Sequence, residues 1–306
     1  YLWMVPVGVL LASLYNALQY WASRRRHFAI ITRTRMARAV GGVGSQLGIG
    51  ALSSGPFGLI FGHMLYGGLG VLRLATSLWA SDRACLSTLT LSGMRVTAFE
   101  YRKFPLLSVP EAFFNTAGSQ LPLLIVAATT LSAEAGYLML AMRVMGLPMG
   151  LIGSSVGQVY LTEAPARLRA GGLKVLTHKT MIVLAKTGGI PLFAVGCVSP
   201  YVFGYIFGRE WEFAGLVVAW LMPSFVLQFV ASPVSVLLHV TGQVKEAMWL
   251  QMFGCVLRVG AVWVAAAFWP NFQIEFYAVS SALFYLAYIV IVMRVARRAD
   301  FYAGAG

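Results

Sequence analysis

Residues 101–161 read YRKFPLLSVPEAFFNTAGSQLPLLIVAATTLSAEAGYLMLAMRVMGLPMGLIGSSVGQVYL, and this stretch decides the fold class. Two apolar runs, 104–130 and 136–161, stand on either side of the short segment 131–135. Each exceeds the roughly 20 mainly apolar residues that a helix needs to cross a bilayer. Working outward, the same alternation of run and loop continues in both directions. It gives candidate spans at 2–22, 40–54 and 57–79 before this block, and at 180–207, 213–239, 247–268 and 274–294 after it. The expectation is an all-α, polytopic helical membrane protein with about nine transmembrane helices.

Composition agrees. Of 306 residues, 59% are hydrophobic and 11% charged, whereas charged residues make up about a quarter of a soluble domain. The net charge of +13 would point to nucleic acid in a soluble chain. No basic stretch here is interleaved with stacking aromatics as single-strand binders require, so no nucleic-acid partner is expected. The charge belongs to alternate loops instead. Basic residues gather at 23–39 (Arg24, Arg25, Arg26, Arg33, Arg35, Arg38), 80–103 (Arg83, Arg95, Arg102, Lys103), 162–179 (Arg167, Arg169, Lys174, Lys179), Lys245 and the C-terminal Arg294, Arg297 and Arg298. The loops between them, near 53–56, 131–135, 208–212 and 269–274, hold only Arg209. The positive-inside rule places the basic loops and the C-terminus in the cytoplasm, against the anionic headgroups of membrane lipids. Tyr1 enters a span at once, so further helices are expected upstream.

The segment 23–39 is too polar to span and suits the membrane surface. The longest cytoplasmic connection, 80–103, is the natural linker between two groups of helices. Small residues four apart, at Gly44/Gly48, Gly58/Gly62, Gly146/Gly150 and Gly153/Gly157, permit close helix packing. Prolines within spans (Pro110, Pro122, Pro148, Pro191, Pro200, Pro223, Pro233) each free a backbone carbonyl that neighbours or water must satisfy. Cys85, Cys197 and Cys255 are too scattered for a disulfide framework or a metal site.

Ionisable groups inside spans are costly and mark candidate function. Arg73 and Lys186 lie near their cytoplasmic ends, where their stems can snorkel. Arg258 sits some twelve residues into its span and Arg143 is also deep. Glu111, followed by Asn115 and Gln120, is the one obvious carboxylate within a span. Deep cations thus outnumber internal partners. The expectation is a water-filled cavity with Arg258, Arg143, Glu111, Asn115, Gln120, Arg73 and Lys186 as candidate substrate-binding residues, its guanidinium groups receiving an anionic ligand. Asp82 and Asp300 are the only aspartates. No HExxH, P-loop or nucleophile elbow occurs, so neither an enzyme nor a cofactor or metal is expected.

The block 101–161 resembles the seventh and eighth helices of bacterial oligosaccharide-lipid flippases, of the multidrug, oligosaccharidyl-lipid and polysaccharide exporter superfamily. The block 207–243, FGREWEFAGLVVAWLMPSFVLQFVASPVSVLLHVTGQ, is similar to the same family in its FG…W..AG…P pattern followed by SP. The resemblance implies two six-helix lobes about a central cavity. On that reading 1–79 supplies the last three helices of the N-terminal lobe, 80–103 the cytoplasmic inter-lobe linker and 104–306 a six-helix C-terminal lobe. It further implies alternating-access export of undecaprenyl-pyrophosphate-linked oligosaccharide (O-antigen or exopolysaccharide repeat units) across the bacterial inner membrane, alongside polysaccharide polymerase machinery. A drug or metabolite exporter of the same superfamily and a membrane glycan polymerase or glycosyltransferase are the alternatives. The first calls for an acidic cavity, the second for larger outer loops and an aspartate pair.

Overall fold

The computed structural model describes residues 4–25, 27–52, 57–87, 90–130 and 133–303. Of the described residues 94% are helical, and the chain divides into two compact units, Tyr1–Phe99 and Glu100–Gly306. The division falls within the segment 80–103. The loop 53–56, expected on the outer side, lies outside the described residues.

Unit 1 contains α1 (Met4–Arg24), α2 (Phe28–Leu52), α3 (Phe57–Gly68), α4 (Val71–Ser87) and nearly all of α5 (Leu91–Glu100), which buries no residue. Its core joins Tyr15, Leu18 and Ala22 of α1 to Ile31 of α2 and to Val71 and Leu74 of α4. The spacing of the α1 residues is that of one helical face. Asp82, at a kink in α4, accepts a hydrogen bond from Trp21 Nε1 at 2.7 Å and pairs with Arg25.

Two boundaries in this unit differ from expectation. Residues 28–52 form one helix, not a surface segment followed by a short span. Arginine, alanine and methionine are good helix formers and no proline intervenes, so the polar stretch carries the helix while interrupting the hydropathy. The run 57–79 is instead divided at Gly70, whose φ of +95° no helix accommodates. A side chain there would also meet Thr34 Cβ at 2.9 Å. Among the described residues six helical segments are long and apolar enough to cross a membrane, and all six lie in unit 2. The three spans expected within 2–79 are not among them. Asn16 and Gln19 dilute α1, three arginines interrupt α2, and the Gly70 break leaves α3 and α4 short.

The spanning segments of unit 2 are Lys103–Thr129, Glu134–Ala170, Leu173–Phe207, Arg209–Val240, Val244–Phe268 and Pro270–Phe301. They comprise α6 (Lys103–Thr129), α7 (Glu134–Ala170), α8 (Leu173–Leu184) continuing through a π-turn at Ala185–Gly189 into α9 (Ile190–Phe207), α10 (Glu212–Val234), α11 (Leu237–Val240), α12 (Val244–Phe268) and α13 (Gln273–Ala303). The protein is therefore a multi-pass, all-α membrane protein. The α10 helix is central and packs on α7, α9 and α13, burying Val217, Leu221, Phe225 and Phe229.

Helices continue without interruption past Pro110, Pro122, Pro148, Pro200 and Pro223. Pro200 shows how this is tolerated. Its missing N–H frees the carbonyl of Gly196, and the Ser199 hydroxyl donates to that oxygen at 2.8 Å. Pro191 stands two residues after the π-turn, beside Ile190, whose N–H bonds back to the Ala185 carbonyl. The small-residue pairs divide. Gly58 and Gly62 pack on α2, and a Cβ added at Gly153 or Gly157 would lie 3.8 or 3.6 Å from Pro233. A Cβ added at Gly44, Gly48, Gly146 or Gly150 would meet no atom within 4 Å, so neither pair is a close helix contact here. Elsewhere, Asp300 of α13 accepts the backbone N–H groups of Gly172, Leu173 and Lys174 at 2.8–3.0 Å. A carboxylate on these orphan donors ties the start of α8 to the end of α13.

Candidate functional site

Helices α6, α10, α12 and α13 surround a cavity of about 120 Å³ whose lining is polar and uncharged. The α6 helix contributes Asn115 and α12 contributes Gln251. Gln228, Ser232 and Ser235 come from α10 and the turn after it, and Tyr285 and Tyr288 from α13. The spacings i, i+4, i+7 on α10 and i, i+3 on α13 put each set on one helical face. Asn115 and Ser232 are exposed, so the cavity opens to the outside of the bundle, while Tyr288 closes its inner side. At about 30 Å³ per water, the space suits roughly four waters.

One atom of this wall is unsatisfied. Gln251 is 7% exposed, and its Oε1 has no hydrogen-bond partner among the described residues. A buried acceptor left in that state costs about 1–3 kcal/mol. A ligand hydroxyl or an ordered water can remove that cost.

One turn from Asn115 on α6, the Glu111 carboxylate meets His239 Nε2 at 3.2 Å. His239 lies on α11, four residues beyond Ser235. The sequence marks this histidine only by its place near a span end. The contact gives Glu111 a partner on another helix and links α6 to the end of α10–α11.

Arg258 does not line a water-filled cavity. It is 1% exposed, enclosed by α6, α12 and α13. Its Nε donates to the Gly254 carbonyl one turn back at 3.0 Å, and its guanidinium carbon lies 4.5 Å from the centre of the Phe284 ring. Gly254 has two roles in this arrangement, because the Phe284 ring occupies the space that a Cβ there would take. On the α6 side a Cβ on Gly118 would come within 2.5 Å of Nη2. That nitrogen has no hydrogen-bond partner among the described residues. In place of the anionic ligand expected there, the Gly254 carbonyl and the aromatic face of Phe284 hold this deep cation.

The remaining candidates are dispersed. Arg143 on α7, Gln120 on α6 and Lys186 in the π-turn are exposed on unit 2 and line no part of this cavity. Arg73 is exposed on α4 of unit 1. Of the seven, the structure brings only Asn115 to the cavity, with Glu111 one turn away. The missed residues are Gln228, Ser232, Ser235, Gln251, Tyr285, Tyr288 and His239. The signal that could have found them is polar residues at one-face spacing in otherwise apolar spans. Unit 1 has its own cavity of about 600 Å³ beside Arg38, Gln46 and His63, but its wall is chiefly apolar. Among the described residues no cluster of three or more His, Cys, Asp or Glu side chains is placed to hold a metal ion. Comparison with family models, curated proteins and solved structures found no match to this chain.

Proposed function

We propose that this chain is part of a flippase that carries undecaprenyl-pyrophosphate-linked oligosaccharide across the bacterial inner membrane by alternating access, and that the α6–α10–α12–α13 cavity meets the glycan. The observation that carries this reading is the chemistry of the wall. Amides and hydroxyls in a membrane-spanning bundle can both donate and accept, as sugar hydroxyls require, and sugar hydroxyls replace ordered waters with little loss. The lining has no charged side chain, so it suits the sugar better than the pyrophosphate. Exposed polar groups such as Asn115 and Ser232 within spans are unfavourable against lipid and favour a water-filled path. The similarity of 101–161 and 207–243 to the flippase family points the same way. The basic loops and the C-terminus face the cytoplasm in this reading.

The test is translocation of a fluorescent lipid-linked glycan by the full-length protein in proteoliposomes, read by a membrane-impermeant quencher. Gln251→Leu should slow translocation about tenfold, the order expected for losing one hydrogen bond, with unchanged reconstitution. In the same vesicles, a single cysteine at residue 133 should react from the face opposite the C-terminus. A Gln251→Leu protein as fast as the parent, or equal transport of the unglycosylated carrier, would remove the glycan from this cavity.

A further inference from the structure

A groove of about 390 Å³ runs between the start of α12 and the end of α13, away from the polar cavity. Its chemistry changes with depth. At the mouth stand Glu246 and Arg298, 4.0 Å apart and both exposed. One turn further in are Trp249 and Arg294, and beyond them Phe253 and Ile291 form the walls. By helical rise Phe253 lies about 10 Å deeper than Glu246. Trp249 and Phe253 are 59% and 52% exposed, so both present their rings to whatever surrounds the helices.

Cations at the end of a spanning helix above an aromatic wall that runs inward match the profile of a phospholipid. The phosphate sits at the interface and an acyl chain lies along the apolar side chains. The Glu246–Arg298 pair is exposed and worth little, and no ion pair among the described residues engages Arg294. A second groove on the other side of Glu246 adds Lys103 and Lys245. The linings of the two grooves together hold four cations and one carboxylate. A zwitterionic headgroup brings its own ammonium to that field; an anionic headgroup does not.

We infer that the α12–α13 groove is a binding site for an anionic glycerophospholipid, with its phosphate between Arg294 and Arg298 and an acyl chain along Trp249 and Phe253. The site is independent of the transport reading. Native mass spectrometry of the purified full-length protein, titrated with phosphatidylglycerol or with phosphatidylcholine of the same chains, tests it. Phosphatidylglycerol should be retained preferentially. Arg294→Gln should cut that preference about fivefold, the share of one cation near a membrane surface. Trp249→Ala should weaken retention of both lipids, and inorganic phosphate at matched concentration should not displace phosphatidylglycerol. Equal retention of the two lipids, or an unchanged preference in a folded Arg294→Gln/Arg298→Gln variant, overturns the inference. So does stronger retention of undecaprenyl phosphate than of phosphatidylglycerol, which would assign the groove to the carrier lipid.

Discussion

Each unit holds an arginine without a carboxylate, and the two solutions differ in one respect. In unit 1, Arg38 Nε donates to the Tyr66 carbonyl at 2.6 Å, and the guanidinium lies between the rings of Tyr15 and Tyr66, 3.8 and 4.5 Å from their centres. In unit 2, Arg258 uses the Gly254 carbonyl and the Phe284 ring. Both therefore combine a backbone acceptor with an aromatic face. The difference is water. Arg38 is half-buried and its remaining N–H groups can be hydrated, whereas Arg258 is enclosed and leaves Nη2 unpartnered. An aromatic face is enough to retain a cation in helical packing, but only solvent access satisfies its remaining donors. Arg258 is thus a packed residue that joins α6, α12 and α13, and its cost is offset by the bundle around it.

The largest effect should come from disturbing the helix that closes over Arg258. A Cβ on Gly118 would meet both the guanidinium and the Cys255 Cα, the latter at 3.0 Å. The side chain can shift, but the backbone of α12 cannot easily do so. Gly118→Val should destabilise the purified protein by about 3 kcal/mol or more, the upper range for overpacking, seen as a lower midpoint in thermal unfolding in detergent. Gly44→Val, where an added Cβ would meet no atom within 4 Å, is the matched control and should leave the midpoint nearly unchanged. Equal loss in both would mean that valine acts through the unfolded chain and not through the α6–α12 contact.

How far the sequence led is clear from the same residues. The six spans of unit 2 are legible because long apolar runs separated by short polar loops have few other folds available. The continuity of α2 is not legible, because hydropathy falls at Arg33, Arg35 and Arg38 while the backbone continues to hydrogen-bond. Nor is the break at Gly70, since one glycine among the many in these helices carries no local mark of positive φ. For the site, Asn115 and Glu111 stand out as polar groups in an apolar run. Gln251 and Tyr288 do not, because their significance depends on which helix faces which, and that is tertiary information. Arg258 was visible as an unusual residue, but its environment comes from Phe284 on another helix and from the missing Cβ of Gly118.

The next effect separates size from charge at Arg258. Arg258→Ala removes the hydrogen bond to Gly254 and leaves a void beside Phe284, at a cost of about 2 kcal/mol or more, the low end for large-to-small core changes. Arg258→Met retains most of the volume and removes the desolvated charge together with its unpartnered nitrogen. Replacing a buried ionic group by a well-packed apolar one is often neutral or stabilising. The methionine variant should therefore unfold within about 0.5 kcal/mol of the parent, or later than it. If it loses as much as alanine, the guanidinium is satisfied by something other than packing, and the contrast with Arg38 fails.

The smallest and most discriminating effect is expected at Arg38, where the same substitution should change sign. Arg38 already has what Arg258 lacks, because solvent reaches the donors that the Tyr66 carbonyl and the two rings leave over. Removing its charge relieves no desolvation penalty, so Arg38→Met loses favourable interactions without a compensating gain. A partly exposed cation–π contact contributes about 0.5–1 kcal/mol, and the hydrogen bond to a neutral carbonyl adds a similar amount. Methionine returns part of this through its own contacts with aromatic rings. The net loss should be about 1 kcal/mol, within reach of unfolding measurements made beside the Arg258→Met variant. Arg38→Lys should lose less than methionine, since an ammonium still sits over a ring even though it gives up the planar geometry of guanidinium. Opposite responses of the two arginines to methionine would establish water access as the distinction between them. A loss of equal size at both would place the stabilisation in the aromatic contact alone, and leave the unpartnered nitrogen of Arg258 without energetic consequence.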